Sequence, residues 1–166
     1  MKRLLAALFL ALVASLALAV NLASATPGNG QGPKTDLAAG TGQTVFLGTE
    51  VKAHVNAQSG PSGEDPRGHF YYQAVDPSLD FDIRGRVTCL TVVGNRATVG
   101  GVVERSNDPT FPAGQGVWFF IRDDDEGAGD AFEARGTATP ETCPSPIEEP
   151  FFLNNQGNWV VHDAMP

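Results

Sequence analysis

Residues 81–105 read FDIRGRVTCLTVVGNRATVGGVVER. Gly94-Asn95 separates two runs rich in Val, Ile, Leu and Thr, the two-residue signal of a β-hairpin with a type II′ turn. It predicts one strand over Phe81 to Val93 and the next over Arg96 to Arg105. The turn pairs Val93 with Arg96, Leu90 with Val99 and Val87 with Val102. One face then carries Phe81, Ile83, Val87, Cys89 and Val102. The other has Leu90, Val92, Ala97 and Val99 near the turn, then Arg84 and Arg86 farther away. The apolar character changes face along the hairpin. Two causes are open: a bulge that reverses the parity, placed at Gly100-Gly101, or burial of both faces near the turn.

Outward from this hairpin the same short-strand grammar continues. On its N-terminal side Val51, Ala53, Val55 and Ala57 alternate with Lys52, His54, Asn56 and Gln58, the two-residue period of a half-buried strand within Val45 to Gln58. A Gly/Pro/Ser loop follows at Ser59 to Pro66, then a strand over Gly68 to Val75 with Phe70, Tyr71 and Tyr72, and a turn at Asp76-Pro77-Ser78. On the C-terminal side a loop with Pro109 and Pro112 precedes the run Val117-Trp118-Phe119-Phe120-Ile121. That run is too apolar for a strand with one wet face and suggests a central or covered strand over Gly116 to Arg122. Ala131 to Thr137 is the next strand. Thr139 to Pro150, with four prolines and Cys143, reads as a tethered loop, and Phe151 to Leu153 and Gly157 to His162 close the chain as one or two strands. No segment holds a helical period over three turns. The fold class expected is all-β: a single antiparallel barrel of about seven or eight short strands, with a two-layer β-sandwich as the alternative. A barrel removes exposed sheet edges, and glycine-rich strands suit its curvature.

The N-terminus has a different character. Lys2 and Arg3 precede an apolar run from Leu4 to Val20, and Ala23-Ser24-Ala25 gives the small-x-small pattern of a cleavage site. Residues 1–25 are expected to be a cleaved signal peptide that forms a helix before removal, and residues 26–42, rich in Gly, Pro, Thr and Gln, a flexible leader. A retained membrane anchor is the rival, although the run is at the short limit for a span. That leaves residues 43–166 as one barrel-like domain, secreted and extracellular, with no membrane contact once the signal is removed. Cys89 and Cys143 are the only cysteines; in an exported chain an even count implies a disulfide between them. The formal net charge is −8, and loss of Lys2 and Arg3 makes it more negative. Such a chain repels phosphate backbones and anionic lipid, so nucleic acid is not an expected partner.

The segments Gly85-Arg86-Val87-Thr88-Cys89-Leu90 and Gly94-Asn95-Arg96-Ala97-Thr98-Val99-Gly100-Gly101 resemble the core pattern of small exported bacterial proteins common in actinobacteria. The turn at Asp123 to Asp130 with Phe132 after it, Cys143, and the terminal Gly157-Asn158-Trp159-Val160-Val161-His162-Asp163-Ala164 are similar to that group as well. The likeness covers about Val51 to Ala164. It implies a secreted β domain with a disulfide and no particular activity. Asp123-Asp124-Asp125-Glu126 is more acidic than the usual turn of the group.

Candidate chemistry is sparse. The turn from Asp123 to Asp130 holds five carboxylates in eight residues. Asp123, Asp125 and Asp130 are a weak Ca²⁺ candidate, the one cofactor the sequence suggests. The spacing does not follow an EF-hand loop, and charges that keep a hairpin tip solvated and unpaired are the plainer reading. His54, His69 and His162 fall at no metal-ligand spacing, and no nucleophile elbow is present. Glu104 and Glu133 could act as paired carboxylates of an extracellular hydrolase. The remaining lead is aromatic: Phe70, Tyr72, Trp118 and Phe120 as core filling, or as the lining of an apolar pocket at a barrel mouth with Arg84 or Arg86 as polar anchor. Two functions follow. The first is a non-catalytic module for a small apolar ligand or a surface partner. The second is the hydrolase.

Overall fold

A computed structural model describes residues 35–76, 81–124, 129–150, 152–154 and 156–164. The signal segment 1–25 and the start of the expected leader lie outside the described residues. Nine antiparallel strands are described, with no helix among them: β1 (Asp36–Phe46), β2 (Thr49–Ser59), β3 (Arg67–Ala74), β4 (Asp82–Val93), β5 (Arg96–Ser106), β6 (Gly116–Arg122), β7 (Ala131–Thr137), β8 (Phe152–Leu153) and β9 (Gln156–His162). They form one sheet in the order β8-β7-β6-β5-β4-β3-β2-β1-β9. Every connection up to β8 is between neighbours, and only the last strand crosses to the far edge. The sheet curls into a half-barrel around one core, so the all-β reading holds.

Part of the expected flexible leader is a strand. β1 begins at Asp36, inside the segment read as flexible, and pairs with β2 from Asp36↔Ser59 to Phe46↔Thr49. Its inward positions are Asp36, Ala38, Gly40, Gly42 and Thr44, so it carries no apolar signal. The small side chains make room for larger ones: a Cβ on Gly42 would sit 2.7 Å from Phe132 Cδ1 and 2.8 Å from Trp159 Cζ2.

The central hairpin forms as its sequence requires. Gly94 takes φ +59°, the sign a II′ turn needs at its first central position. Val93 pairs with Arg96 and Leu90 with Val99, but Val87 meets Gly101, one residue short of Val102. The ladder shifts between Val87 and Cys89 and again between Arg84 and Gly85, which leaves Thr88 and Glu104 as the extra residues. The parity reversal is therefore real, with the bulge at Thr88, on the strand opposite Gly100-Gly101. Ile83 and Val87 before it, and Leu90 and Val92 after it, all enter the core.

Gly100-Gly101 has a different task. A Cβ on Gly101 would lie 2.6 Å from Phe70 Cε1 inside the sheet, and Gly85 is similarly bare beneath the same ring. Phe70 uses that space and packs on Phe119 at 5.1 Å between centroids. On the outer face, a Cβ on Gly100 would meet the Cys89 sulfur and Pro140 O. Cys89 and Cys143 are bonded there, with Cα atoms 5.6 Å apart, as expected. Thr88 Oγ1 donates to Pro140 O at 2.6 Å beside them. A second anchor, Arg122 Nη1 to Glu149 Oε2 at 2.7 Å, holds the far end of the same segment. The 138–150 segment is thus tied to the outside of the sheet at two points. β6 lies between β5 and β7, sends Val117, Phe119 and Ile121 into the core, and keeps Phe120 buried on its other face. This is why its sequence lacks alternation.

Candidate functional site

The acidic turn and the last strand meet. β9 pairs with β1 from Leu37↔His162 to Gln43↔Gln156, which leaves its other edge facing the turn between β6 and β7. Backbone N–H groups on that edge recur every second residue, and the acids meet them in step. Trp159 N donates to Asp130 Oδ2 at 2.7 Å, and Val161 N to Asp123 Oδ2 at 2.8 Å. Asp130 Oδ1 also accepts Asp124 N at 2.9 Å, and Asn154 N donates to Asp130 O at 2.8 Å. Farther along, Ala164 N donates to Asp36 Oδ1 at 2.9 Å and Gly94 N to Asp163 Oδ2 at 2.7 Å. Carboxylates here take the place of strand-to-strand carbonyls and draw the two ends of the sheet together. Asp130 is wholly buried in this arrangement. Asp123 and Asp130 are engaged with backbone donors, and Asp125 lies outside the described residues. Among the described residues, no group of three or more His, Cys, Asp or Glu side chains is placed to hold a metal ion.

Asp36 carries a consequence for pH. Burial pushes its carboxyl above the usual value of 3.8, partly offset by the Ala164 N–H, with Asp163 and Glu64 pushing the same way as burial. The folded protein therefore binds this proton more tightly than the unfolded chain does. Ionised Asp36 opposes folding at neutral pH, and that cost is relieved as pH falls through the raised value. Asp36→Asn keeps an oxygen for Ala164 N without the charge. It is expected to raise the urea midpoint at pH 7, with the gain shrinking as pH approaches 3.8, measured by denaturation at stepped pH.

Where β8 leaves β7 and approaches the end of β1, the half-barrel opens on an apolar pocket of about 180 Å³. Val51, Tyr72, Phe132 and Ala134 enter it from core-facing positions of their strands, and Thr44 and Phe46 from β1. Phe152 and Phe111 complete the wall. Phe46 and Phe152 meet edge to face at 5.3 Å, and Thr44 Oγ1 donates to Leu153 O at 2.9 Å, so the mouth is braced on both sides of the seam. Phe111 is set by a turn in which Asp108 Oδ1 accepts Thr110 N at 2.8 Å. Val45 and Leu47 at the end of β1 and Leu153 on β8 are exposed, Leu47 to 89%. Among the described residues Tyr72 is the one ionisable member of the wall, and burial pushes its phenol up to about 12, so it stays protonated at physiological pH. Behind the wall, the Asn154 amide and Trp159 Nε1 are buried and have no hydrogen-bond partner among the described residues.

The other expected site residues are dispersed. Tyr72 reaches the mouth, but Phe70 is buried beneath Gly85 and Gly101 and is not among its lining residues. Arg84 and Arg86 point outward from β4: Arg84 is held by Asp82 at 2.6 Å, and Arg86 lies 3.6 Å from Glu104. Trp118 and Phe120 are on the outer face of β6, where Arg135 lies over Phe120 at 5.1 Å. The proposed single pocket of Phe70, Tyr72, Arg84, Arg86, Trp118 and Phe120 is not assembled. Glu104 is exposed on β5, while Glu133 is buried on β7 beside Arg135, with β6 between the two strands. Sequence reasoning missed Phe46, Phe111, Phe132 and Phe152. Inward parity marks Phe132, but nothing local marks Phe111 or Phe152. No helix among the described residues is long and apolar enough to cross a membrane. No protein-family model matches this chain, and neither a curated protein nor a solved structure matches it.

Proposed function

We propose that this chain is an exported, non-catalytic β module that takes a small apolar ligand into the mouth lined by Phe46, Tyr72, Phe111, Phe132 and Phe152. The observation that carries the reading is the pocket itself: about 180 Å³ of space walled largely by aromatic rings. An apolar cavity of about 150 Å³ is enough to bind benzene, so the ligand is a single ring or a short alkyl chain. Among the described residues the wall offers no group that exchanges protons near neutral pH, which supports binding over acid–base catalysis. The hydrolase alternative has less behind it, because Glu133 is buried against an arginine and Glu104 is near another. Export rests on the N-terminal pattern and the resemblance to small exported bacterial proteins, and the disulfide is compatible with it.

Thermal denaturation with toluene and phenol tests the reading. Each is expected to raise Tm by several degrees at saturation, since ligand at about 100 times Kd adds about 2.7 kcal/mol. Ala134→Leu fills the pocket and is expected to abolish both shifts while leaving the unliganded Tm near that of the native chain. Shifts that persist in this variant, or no shift in the native chain, would remove the mouth as the ligand site.

A further inference from the structure

The outer face of the sheet opposite the seam has an unusual composition for so acidic a chain. Cross-strand pairing sets Thr41, His54, Tyr71, Arg84 and Arg105 side by side in one row, from β1 to β5. A parallel row places Asn56, His69 and Arg86 together. Lys52 and Arg67 flank the rows, and among the described residues only Arg96, Arg122 and Arg135 of the remaining lysines and arginines lie elsewhere. Asp82 and Glu104 offset part of this charge, and Glu50 lies at its edge beside Gln43.

The geometry is that of a ridge between two hollows. Arg84 lies over the Tyr71 ring at 5.4 Å, held flat by two bonds to Asp82. His69 packs against Tyr71 at 5.5 Å and His54 at 5.8 Å from His69. On one side a hollow of about 220 Å³ is lined by Thr41, Lys52, His54, Tyr71 and Gln73. On the other, a hollow of about 350 Å³ is lined by Asp82, Arg84, Arg105, Ser106 and Asn107. Five neighbouring strands span about 19 Å at the usual spacing.

We propose that this face binds an acidic polysaccharide bearing carboxylates on its sugar rings. The two hollows hold successive units across the Tyr71–Arg84 ridge. Exposed ring faces suit the C–H faces of sugars, the amide of Gln73 suits hydroxyls, and Lys52 and Arg105 sit where a ring carboxylate is bound by charge-assisted hydrogen bonds. Charge complementarity favours an anion over a neutral glycan, since cations are gathered here and acids dominate the rest of the chain. A nucleic acid meets the same acidic remainder and lacks the carboxylate-bearing sugar rings that the two hollows would take. This site is separate from the aromatic mouth and does not depend on it.

Calorimetric titration of the purified protein with polygalacturonate oligomers, neutral galactan and single-stranded DNA decides the matter. Saturable binding to polygalacturonate is expected, weakened by salt, with no binding to galactan. The Arg84→Gln, Arg105→Gln double variant should bind about tenfold more weakly or worse, with an unchanged circular dichroism spectrum. Tyr71→Ala is a second, uncharged probe of the ridge and should also weaken binding. Ala134→Leu should bind polygalacturonate as the native chain does. Absent polygalacturonate binding, equal affinity for galactan, equal or tighter binding of DNA, or full affinity in the double variant would each overturn the proposal.

Discussion

Replacing Asp130 with alanine is expected to cost about 2–5 kcal/mol of folding stability, read as a lower urea midpoint with little change in slope. The buried carboxylate accepts Trp159 N at 2.7 Å and Asp124 N at 2.9 Å, one on each oxygen. Alanine strands Trp159 N in the buried interior and Asp124 N in a half-buried position, and each orphaned buried donor costs about 1–3 kcal/mol. Asp130→Asn keeps one acceptor oxygen and turns the other into a donor facing an N–H. It should recover only part of the loss. A cost below about 0.5 kcal/mol for the alanine variant, the range of ordinary surface changes, would show that these bonds do not hold the seam.

Removing the disulfide is the other large effect. Cys89 and Cys143 are 54 residues apart, and a closed loop of that size contributes about 4 kcal/mol in the chain-entropy account. The double change Cys89→Ser, Cys143→Ser should therefore lower stability by roughly that amount. It also leaves the 138–150 segment held by Arg122–Glu149 and by the Thr88 hydroxyl on Pro140. Glu141, Glu148 and Glu149 lie within this segment, so a glutamate-specific protease should cut it far faster in the variant than in the oxidised protein. Unchanged stability together with unchanged cleavage would contradict the two-anchor description.

How much of this was legible follows from the kind of interaction involved. The Gly94-Asn95 hairpin was readable because turn and alternation are local, and the cysteine pair because only one pairing exists. β1 was not, because its inward positions are small or polar; their size answers to Trp159 and Phe132, which lie more than 80 residues away in the chain. The bulge was readable as a parity reversal but not as a position. The glycine pair that drew attention serves Phe70 on one side and the disulfide on the other, and the extra residue falls on the facing strand. The acidic turn misled for the same reason: a carboxylate meant for a distant backbone N–H looks in sequence like one meant for solvent or for a cation. The mouth draws its walls from several strands and a loop, and only Tyr72 had been singled out.

The seam and the mouth are linked physically. Asp130 fixes the junction where β8 leaves β7, through its carbonyl to Asn154 N and its carboxylate to Trp159 N, and Phe132 and Phe152 of the pocket wall flank that junction. A wall held this way is set before any ligand arrives, which lowers the ordering cost of binding. It also predicts that Asp130→Ala weakens toluene binding at temperatures where the variant remains folded.

Amide hydrogen exchange of Trp159 and Val161 tests carboxylate closure of the sheet most directly. β9 is the last strand in the hydrogen-bonded order, and an uncapped edge would exchange within seconds to minutes. In the native protein these two amides are expected to exchange as slowly as those of β4 and β5, and Trp159 is expected to lose protection in Asp130→Ala. Fast exchange at both positions in the native chain would contradict carboxylate closure.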